Sequence, residues 1–233
     1  MNLSHPAEQL EALRQFDACT LANATEAFRV RLRNEGFAGG GSHCLFPQLP
    51  PMVGYAATIT IRSSSPPVAG ASTYVEHTDW WDYVLSVPAP RILAVQDLSA
   101  GSGRGAFLGE VHINLLRALG CVGAVTNGTV RDQPALAELC FPVFAAGLSV
   151  SHSYVHLVAT GEPVLVDGLA IRSGDLLHGD RHGFQTIPPG IVADLPAVAE
   201  KILTRERALL ELARMPGVSL ERLRAAVTGT QPA

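Results

Sequence analysis

The stretch GAVTNGTVRD, residues 123–132, ends in a cation and an anion side by side, Arg131 and Asp132. A guanidinium grips a carboxylate through a planar fork of donors. An aspartate is a hard oxygen ligand suited to Mg²⁺ or Mn²⁺. Upstream, LGEVHINLLRALG reads as a helix that Glu110 opens and Gly120 closes. The backbone amides of Gly109, Glu110, Val111 and His112 would project from its N-terminus, a ready site for a small anion. Together these groups suit an anionic, oxygen-rich ligand bridged by a metal. Each also has a structural reading. DQPA is good helix-start chemistry, with Asp132 as the cap. Glu110 is a first-turn acid favoured by the helix dipole, and Arg131 alone would be a surface residue.

Other stretches carry weaker signals. GSGRG, 101–105, follows a strand and precedes a helix, the setting of a nucleotide loop, yet it lacks the full GxGxxG pattern. It reads better as a mobile loop. SHSYVH places His152 and His156 four apart, which on a helix could share a metal. HGDRHG places His178, Asp180 and His182 two apart, on one face of a strand. Without an HExxH pattern or a cysteine partner, hydrogen bonding to structural turns is the favoured reading for these histidines.

The elements that must position the charged trio follow from periodicity. Two short helices are expected over 6–16 and 20–33, the second capped by Thr20, and loop over 34–54. YAATITIRS and RILAVQDL read as strands, EHTDWWDYVLSV as a helix, and SAGSGRGAF as loop. CVGAVTN is a buried strand, DQPALAELC a helix, and PVFAAG another strand. Residues 91–146 thus form a β-α-β-α-β unit of parallel strands with crossover helices. In such a sheet the carboxyl ends of neighbouring strands frame a ligand crevice, where Glu110 would meet Arg131 and Asp132. From GEPVLVDG to FQTIP the chain reads as short strands with tight turns, and 194–228 as helix broken at Pro216-Gly217. No linker divides residues 1–233, so a single domain is expected.

Composition narrows the function classes. Hydrophobic residues make up 47% and charged residues 16% of 233, which predicts a well-buried core and surface buried against copies of the same chain. Net charge is −4 and the cations are scattered, which argues against nucleic acid. The N-terminus has no apolar signal region and no apolar run approaches a membrane span. Cys19, Cys44, Cys121 and Cys140 have no CxxC spacing, which fits a reduced, cytoplasmic compartment. Cys121 and Cys140 sit in apolar runs and read as small hydrophobes.

GEVHINLLRALGCVGAVTNGTVRDQPAL, FPVFAAG and SGDLLHGDRHGFQTIP together resemble the RraA-like family, from about residue 20 to 190. That family contains the regulator of ribonuclease activity A and the 4-hydroxy-4-methyl-2-oxoglutarate aldolases; many members carry an older methyltransferase label. The resemblance implies an α/β fold of the swivelling β/β/α type, an α-β-β-α sandwich with a C-terminal helix. It implies a homotrimer or hexamer with the active site between subunits. It implies that Asp132 ligates Mg²⁺ or Mn²⁺ and that Arg131 binds the oxygens of a small 2-ketoacid. The amides of residues 109–112 would take the substrate carboxylate, and Glu110 would hold a water beside the metal. Glu206 is the positional match for a glutamate that the aldolases recruit from a neighbouring C-terminal helix.

The chemistry fits the chain independently of the name. Cleaving a C–C bond next to a 2-ketoacid leaves a pyruvate enolate, whose charge a cation can take up. Lys201 is the only lysine and lies outside the proposed site, so no Schiff base is expected. Decarboxylation of oxaloacetate would pass through the same enolate. The sequence therefore points to a divalent-metal-dependent lyase: an aldolase for a 4-hydroxy-2-ketoacid, with possible oxaloacetate decarboxylation. The alternative is a protein-binding regulator of a ribonuclease complex. A methyltransferase is excluded for want of an adenosylmethionine fingerprint.

Overall fold

The computed structural model describes residues 4–67, 78–99 and 105–228. Two helices come first, α1 (Ala7–Leu13) and α2 (Ala18–Phe28). The cap of α2 is Asp17, not Thr20: its Oδ1 accepts from the Thr20 amide at 2.7 Å. Thr20 is one turn inside the helix and buried. Arg29 adopts a left-handed conformation (φ 55°) that ends α2, so the helix stops short of the expected residue 33. The Gly- and Pro-rich segment after it holds a two-residue strand, β1 (His43–Cys44), before β2 (Met52–Arg62) begins.

Every residue of β2 but Arg62 is buried. Val53, Tyr55, Ala57, Ile59 and Ile61 face one apolar cluster, and Met52 and Ala56 face the other. A strand buried on both faces belongs at the centre of its sheet. The helix α3 (Asp79–Ser86) is shorter than EHTDWWDYVLSV, whose first two residues lie outside the described ones. The expected unit then follows: β3 (Arg91–Asp97), β4 (Ala106–Leu108), α4 (Glu110–Ala118), β5 (Cys121–Thr126), β6 (Thr129–Val130), α5 (Gln133–Glu138) and β7 (Val143–Ala145). Gly120 (φ 75°) closes α4 as anticipated. Strands β2, β3, β5 and β7 are parallel neighbours in that order. Both crossover helices of the unit pack into the same cluster through Ile113, Leu116 and Leu136, as right-handed crossovers along one direction of a sheet require.

The sequence analysis did not anticipate a second sheet. β4 and β6 leave the main sheet and pair in parallel with each other and with β8 (Gly147–Leu148). The GSGRG reading falls largely on residues 101–104, outside the described residues. The end of SAGSGRGAF, expected to be loop, is part of β4.

The remaining strands are β9 (His156–Thr160), β10 (Val164–Val166), β11 (Leu169–Ile171), β12 (Leu176–Asp180) and β13 (Gly183–Ile187). β12 and β9 pair antiparallel with the first and second halves of β2, completing an eight-stranded sheet. β10 and β11 form a hairpin on Asp167-Gly168, both at positive φ, the two-residue turn that matches strand twist. Val164, Val166, Leu169 and Ile171 of this hairpin cover the sheet face opposite the helices. The fold is thus mixed α/β, with helices over one face and a β layer over the other. After a 3₁₀ turn come α6 (Leu195–Arg214) and α7 (Leu220–Thr228), separated at Pro216-Gly217 as expected. Of α6, only Leu195 and Ala199 are buried.

Candidate functional site

The Asn-Gly pair after β5 explains how the charged pair is placed. Asn127 Oδ1 accepts from the Asp97 amide at 2.7 Å, and its Nδ2 donates to the Asp97 carbonyl at 3.2 Å. This ties the ends of β3 and β5 together. The Gly128 amide donates to Thr126 Oγ1, and its carbonyl accepts from the Ala146 amide. A Cβ on Gly128 would lie 3.2 Å from the Asp97 Cβ, so the close turn favours glycine. The chain then jogs into β6, where the Arg131 amide donates to the Leu108 carbonyl at 2.9 Å. Parallel strands end on the same side. Gly109 and Glu110 leave β4 beside the point where Arg131 and Asp132 leave β6.

Asp132 does not cap its own helix. It occupies the N-cap position of α5 at φ 59°, without a side-chain cap bond. Its Oδ2 instead accepts from the Glu110 amide at 3.1 Å, at the start of α4, and lies 3.4 Å from Arg131 Nε. The left-handed region is open to aspartate and asparagine at small cost. A Cβ on Gly109 would stand 2.6 Å from Asp132 Oδ2 and 3.0 Å from Arg131 Cγ. The charged pair therefore sits where only a glycine leaves room for it.

One correction concerns the expected amide cluster. The Glu110 amide is already engaged by Asp132, which leaves Val111 and His112 as the first-turn amides with no carbonyl a turn below them. Among the described residues the exposed Glu110 side chain makes no hydrogen bond or ion pair, while its carbonyl accepts from Asn114.

The Arg131 and Asp132 side chains are 36% and 40% exposed, where an ion pair contributes little to stability and both groups stay open to a ligand. They line a cavity of about 430 Å³ with Gln133 and Pro134, closed on its other side by Leu148, Ser149 and Val150. That volume suits a small molecule. Sequence reading missed this second wall, because the strand that carries it, β8, has only two residues. A cavity of about 480 Å³ lies between Leu10, Arg14, Met52 and Cys121, and holds none of Glu110, Arg131 or Asp132.

Among the described residues no three His, Cys, Asp or Glu side chains are grouped to hold a metal. A closed Zn²⁺-type cage therefore does not fit. A single half-exposed carboxylate beside a cavity does fit Mg²⁺ or Mn²⁺, which keep several waters and need few protein ligands.

The histidine clusters serve turns. His152 and His156 are not on a helix: one precedes β9 and the other begins it, and their Nδ1 atoms contact the Ser153 and Tyr154 carbonyls. His178 is fully buried and its Nε2 donates to the Phe16 carbonyl. Asp180 accepts from the amides of Ala18 and His182, which latches the start of α2 onto β12. Glu206 lies exposed on α6 and makes no hydrogen bond or ion pair among the described residues. Burial pushes the Cys121 thiol up to about 12, so it is inert, as expected of a small hydrophobe; Cys140 is exposed instead.

His112 packs its ring against Phe107 (centroids 5.0 Å apart) in the first turn of α4. Burial, then the neighbouring Arg131 charge, pushes its pKa down to about 4. A group protonated more readily when unfolded destabilises the fold as pH falls. Its contribution is therefore complete above the unfolded value of 6.5 and is lost between 6.5 and about 4. At pH 5 this costs about 2 kcal/mol relative to pH 7. His178, also lowered by burial, acts with the same sign. Urea unfolding at pH 7 and pH 5 is expected to show the loss, and His112→Leu to shrink it. Equal midpoints for the wild type at both pH values would contradict a buried neutral His112.

The family profile described as RraA-like, aldolase/RraA, matches residues 18–185. The chain belongs to the RraA-like family. A relative of this RraA-like chain from Halalkalibacterium halodurans, provisionally named 4-hydroxy-4-methyl-2-oxoglutarate aldolase, is 32% identical over 109 residues, 45% of the chain and 52% of the relative. A protein of the same provisional name from Halorhodospira halophila is 35% identical over 101 residues, 43% and 61% of the two chains. The match thus spans less than two thirds of either relative. Two solved structures share the fold. One, an uncharacterised protein of Pseudomonas syringae, is 23% identical with a TM-score of 0.72, covering 96% of both chains. The other is Streptomyces coelicolor RraAS2, described as an unusual member of the RNase ES inhibitor RraA family. It is 20% identical with a TM-score of 0.66, covering 91% of this chain and 98% of its own.

Proposed function

We propose that this RraA-like protein is a divalent-metal-dependent lyase that cleaves a 4-hydroxy-2-ketoacid to pyruvate. One observation carries the reading. Arg131, Asp132 and the first turn of α4 converge on one cavity, through a contact that a side chain at residue 109 would block. The provisional aldolase names of the relatives support it.

Arg131 would bind the ketoacid oxygens through its fork, and the free amides of the α4 turn would receive the carboxylate. As the C3–C4 bond breaks, Arg131 would face the charge that develops on the enolate oxygen. Asp132 would hold Mg²⁺ or Mn²⁺, and the ion when bound supplies Lewis-acid stabilisation of that charge. Glu110, exposed at the mouth, would orient a water that moves the proton to and from the substrate. Glu206 would reach the site of a neighbouring copy in a trimer or hexamer; a monomer mass by light scattering would remove it from the mechanism.

The test is pyruvate release from a panel of 4-hydroxy-2-ketoacids and from oxaloacetate, with and without added Mg²⁺ or Mn²⁺. Metal-dependent release is expected for at least one 4-hydroxy-2-ketoacid. No release from any of them, with metal present, would refute the lyase and leave the protein-binding regulator.

A further inference from the structure

The cavity beside Arg131 has two unlike walls. One carries Arg131 and Asp132; the other carries Leu148, 53% exposed, and the fully exposed Val150. Pro134 adds a further apolar edge. Among the described lining residues Arg131 is the only cation, and Asp132 faces the same space as an anion. The carboxylate or keto oxygens of a 2-ketoacid would use Arg131 fully. A second carboxylate on C4 would then face Asp132 and an apolar wall, with no further cation in that lining to pair it. Exposed Leu148 and Val150 gain from covering by carbon, and a carboxylate placed against them loses hydration without return.

We propose that this site, read as above, is specific for 4-hydroxy-2-ketoacids with an uncharged apolar substituent on C4 over those with a second carboxylate there. The inference rests on the lyase reading and adds the substrate class to it. In the reaction the C4 hydroxyl loses its proton and becomes an aldehyde or ketone carbonyl. The C3–C4 electron pair passes to C3 as pyruvate enolate, which takes up a proton to give pyruvate. No oxidant or further reactant is needed. Selectivity arises because the C4 substituent must rest on the Leu148–Val150 wall while the ketoacid end is held by Arg131.

The experiment compares kcat/KM for 4-hydroxy-2-oxohexanoate, with its ethyl tail, and 4-hydroxy-4-methyl-2-oxoglutarate, with its second carboxylate, at saturating Mg²⁺ or Mn²⁺. The expected ratio is at least about tenfold in favour of the ethyl compound, the scale on which one or two methylenes discriminate. Leu148→Arg, which places a cation in the wall, is expected to reverse or erase the preference. Val150→Arg, at a fully exposed position that strains no packing, is the second variant should Leu148→Arg not fold. Exchange of pyruvate methyl protons for deuterium by the wild type, read by NMR, reports enolate formation without any C4 tail. Exchange together with equal or inverted selectivity would overturn the substrate class and leave the lyase standing. An unchanged ratio in both folded arginine variants would overturn the role of the wall, even if either variant alters the oligomer mass. No exchange and no cleavage would overturn both.

Discussion

Arg131→Ala is expected to abolish pyruvate release while the protein remains folded. The side chain is partly exposed, and its ion pair with Asp132 lies at 3.4 Å near solvent, so its removal leaves no buried charge unpaired. Its loss from the proposed reaction is much larger. A charge-assisted hydrogen bond contributes roughly 1.5–3 kcal/mol, and two lost together correspond to about a hundred- to ten-thousand-fold in rate. Arg131→Lys is expected to fail nearly as badly, because an ammonium cannot reproduce a bidentate fork. Measured turnover within a few-fold of wild type in folded Arg131→Ala would remove Arg131 from the site.

Asp132→Asn separates a structural carboxylate from a metal ligand. Asparagine tolerates the left-handed backbone at this position, and its amide oxygen can still accept from Glu110. The melting temperature is therefore expected to stay within a few degrees of wild type. Metal-dependent activity is expected to be lost, because hard cations prefer anionic oxygen and a single protein carboxylate would anchor the ion. A chelator should silence the wild type, with Mg²⁺ or Mn²⁺ restoring it. His178→Ala serves as the comparison. Its ring is buried and bonded to the Phe16 carbonyl, so its replacement is expected to lower stability rather than metal response. An Asp132→Asn protein that still releases pyruvate with unchanged metal dependence would end the assignment.

The β-α-β-α-β unit was legible because apolar runs such as RILAVQ and CVGAVT are separated by helical spacing and bounded by glycine. The juxtaposition of Glu110 with Arg131 and Asp132 was legible for the same reason, since neighbouring parallel strands deliver their following residues to one edge. The carrier of that edge was not. β4, β6 and β8 have only two or three residues each, too few to show a period, and they exist because they pair with one another across long stretches of chain. The helix cap of α2 was misplaced for a related reason: Asp17 and Thr20 are both good caps, and the fold selects Asp17 by latching the start of α2 to Asp180.

By itself the sequence determined the order of elements, the parallel sheet at their centre, the closing of α4 at Gly120 and the family of the chain. These depend on local periodicity, on turn residues and on motif spacing. Tertiary structure alone decided what the Asp132 carboxylate does and what faces it. One-dimensional spacing made it a plausible cap for α5; folding turns it instead onto the amide of α4, into the gap that Gly109 leaves. Tertiary structure also set Leu148 and Val150 opposite Arg131, a wall contributed by a strand whose existence depends on two partners distant in sequence. A side chain's direction and its neighbours across a cavity are long-range quantities, fixed only when the strands that carry them have paired.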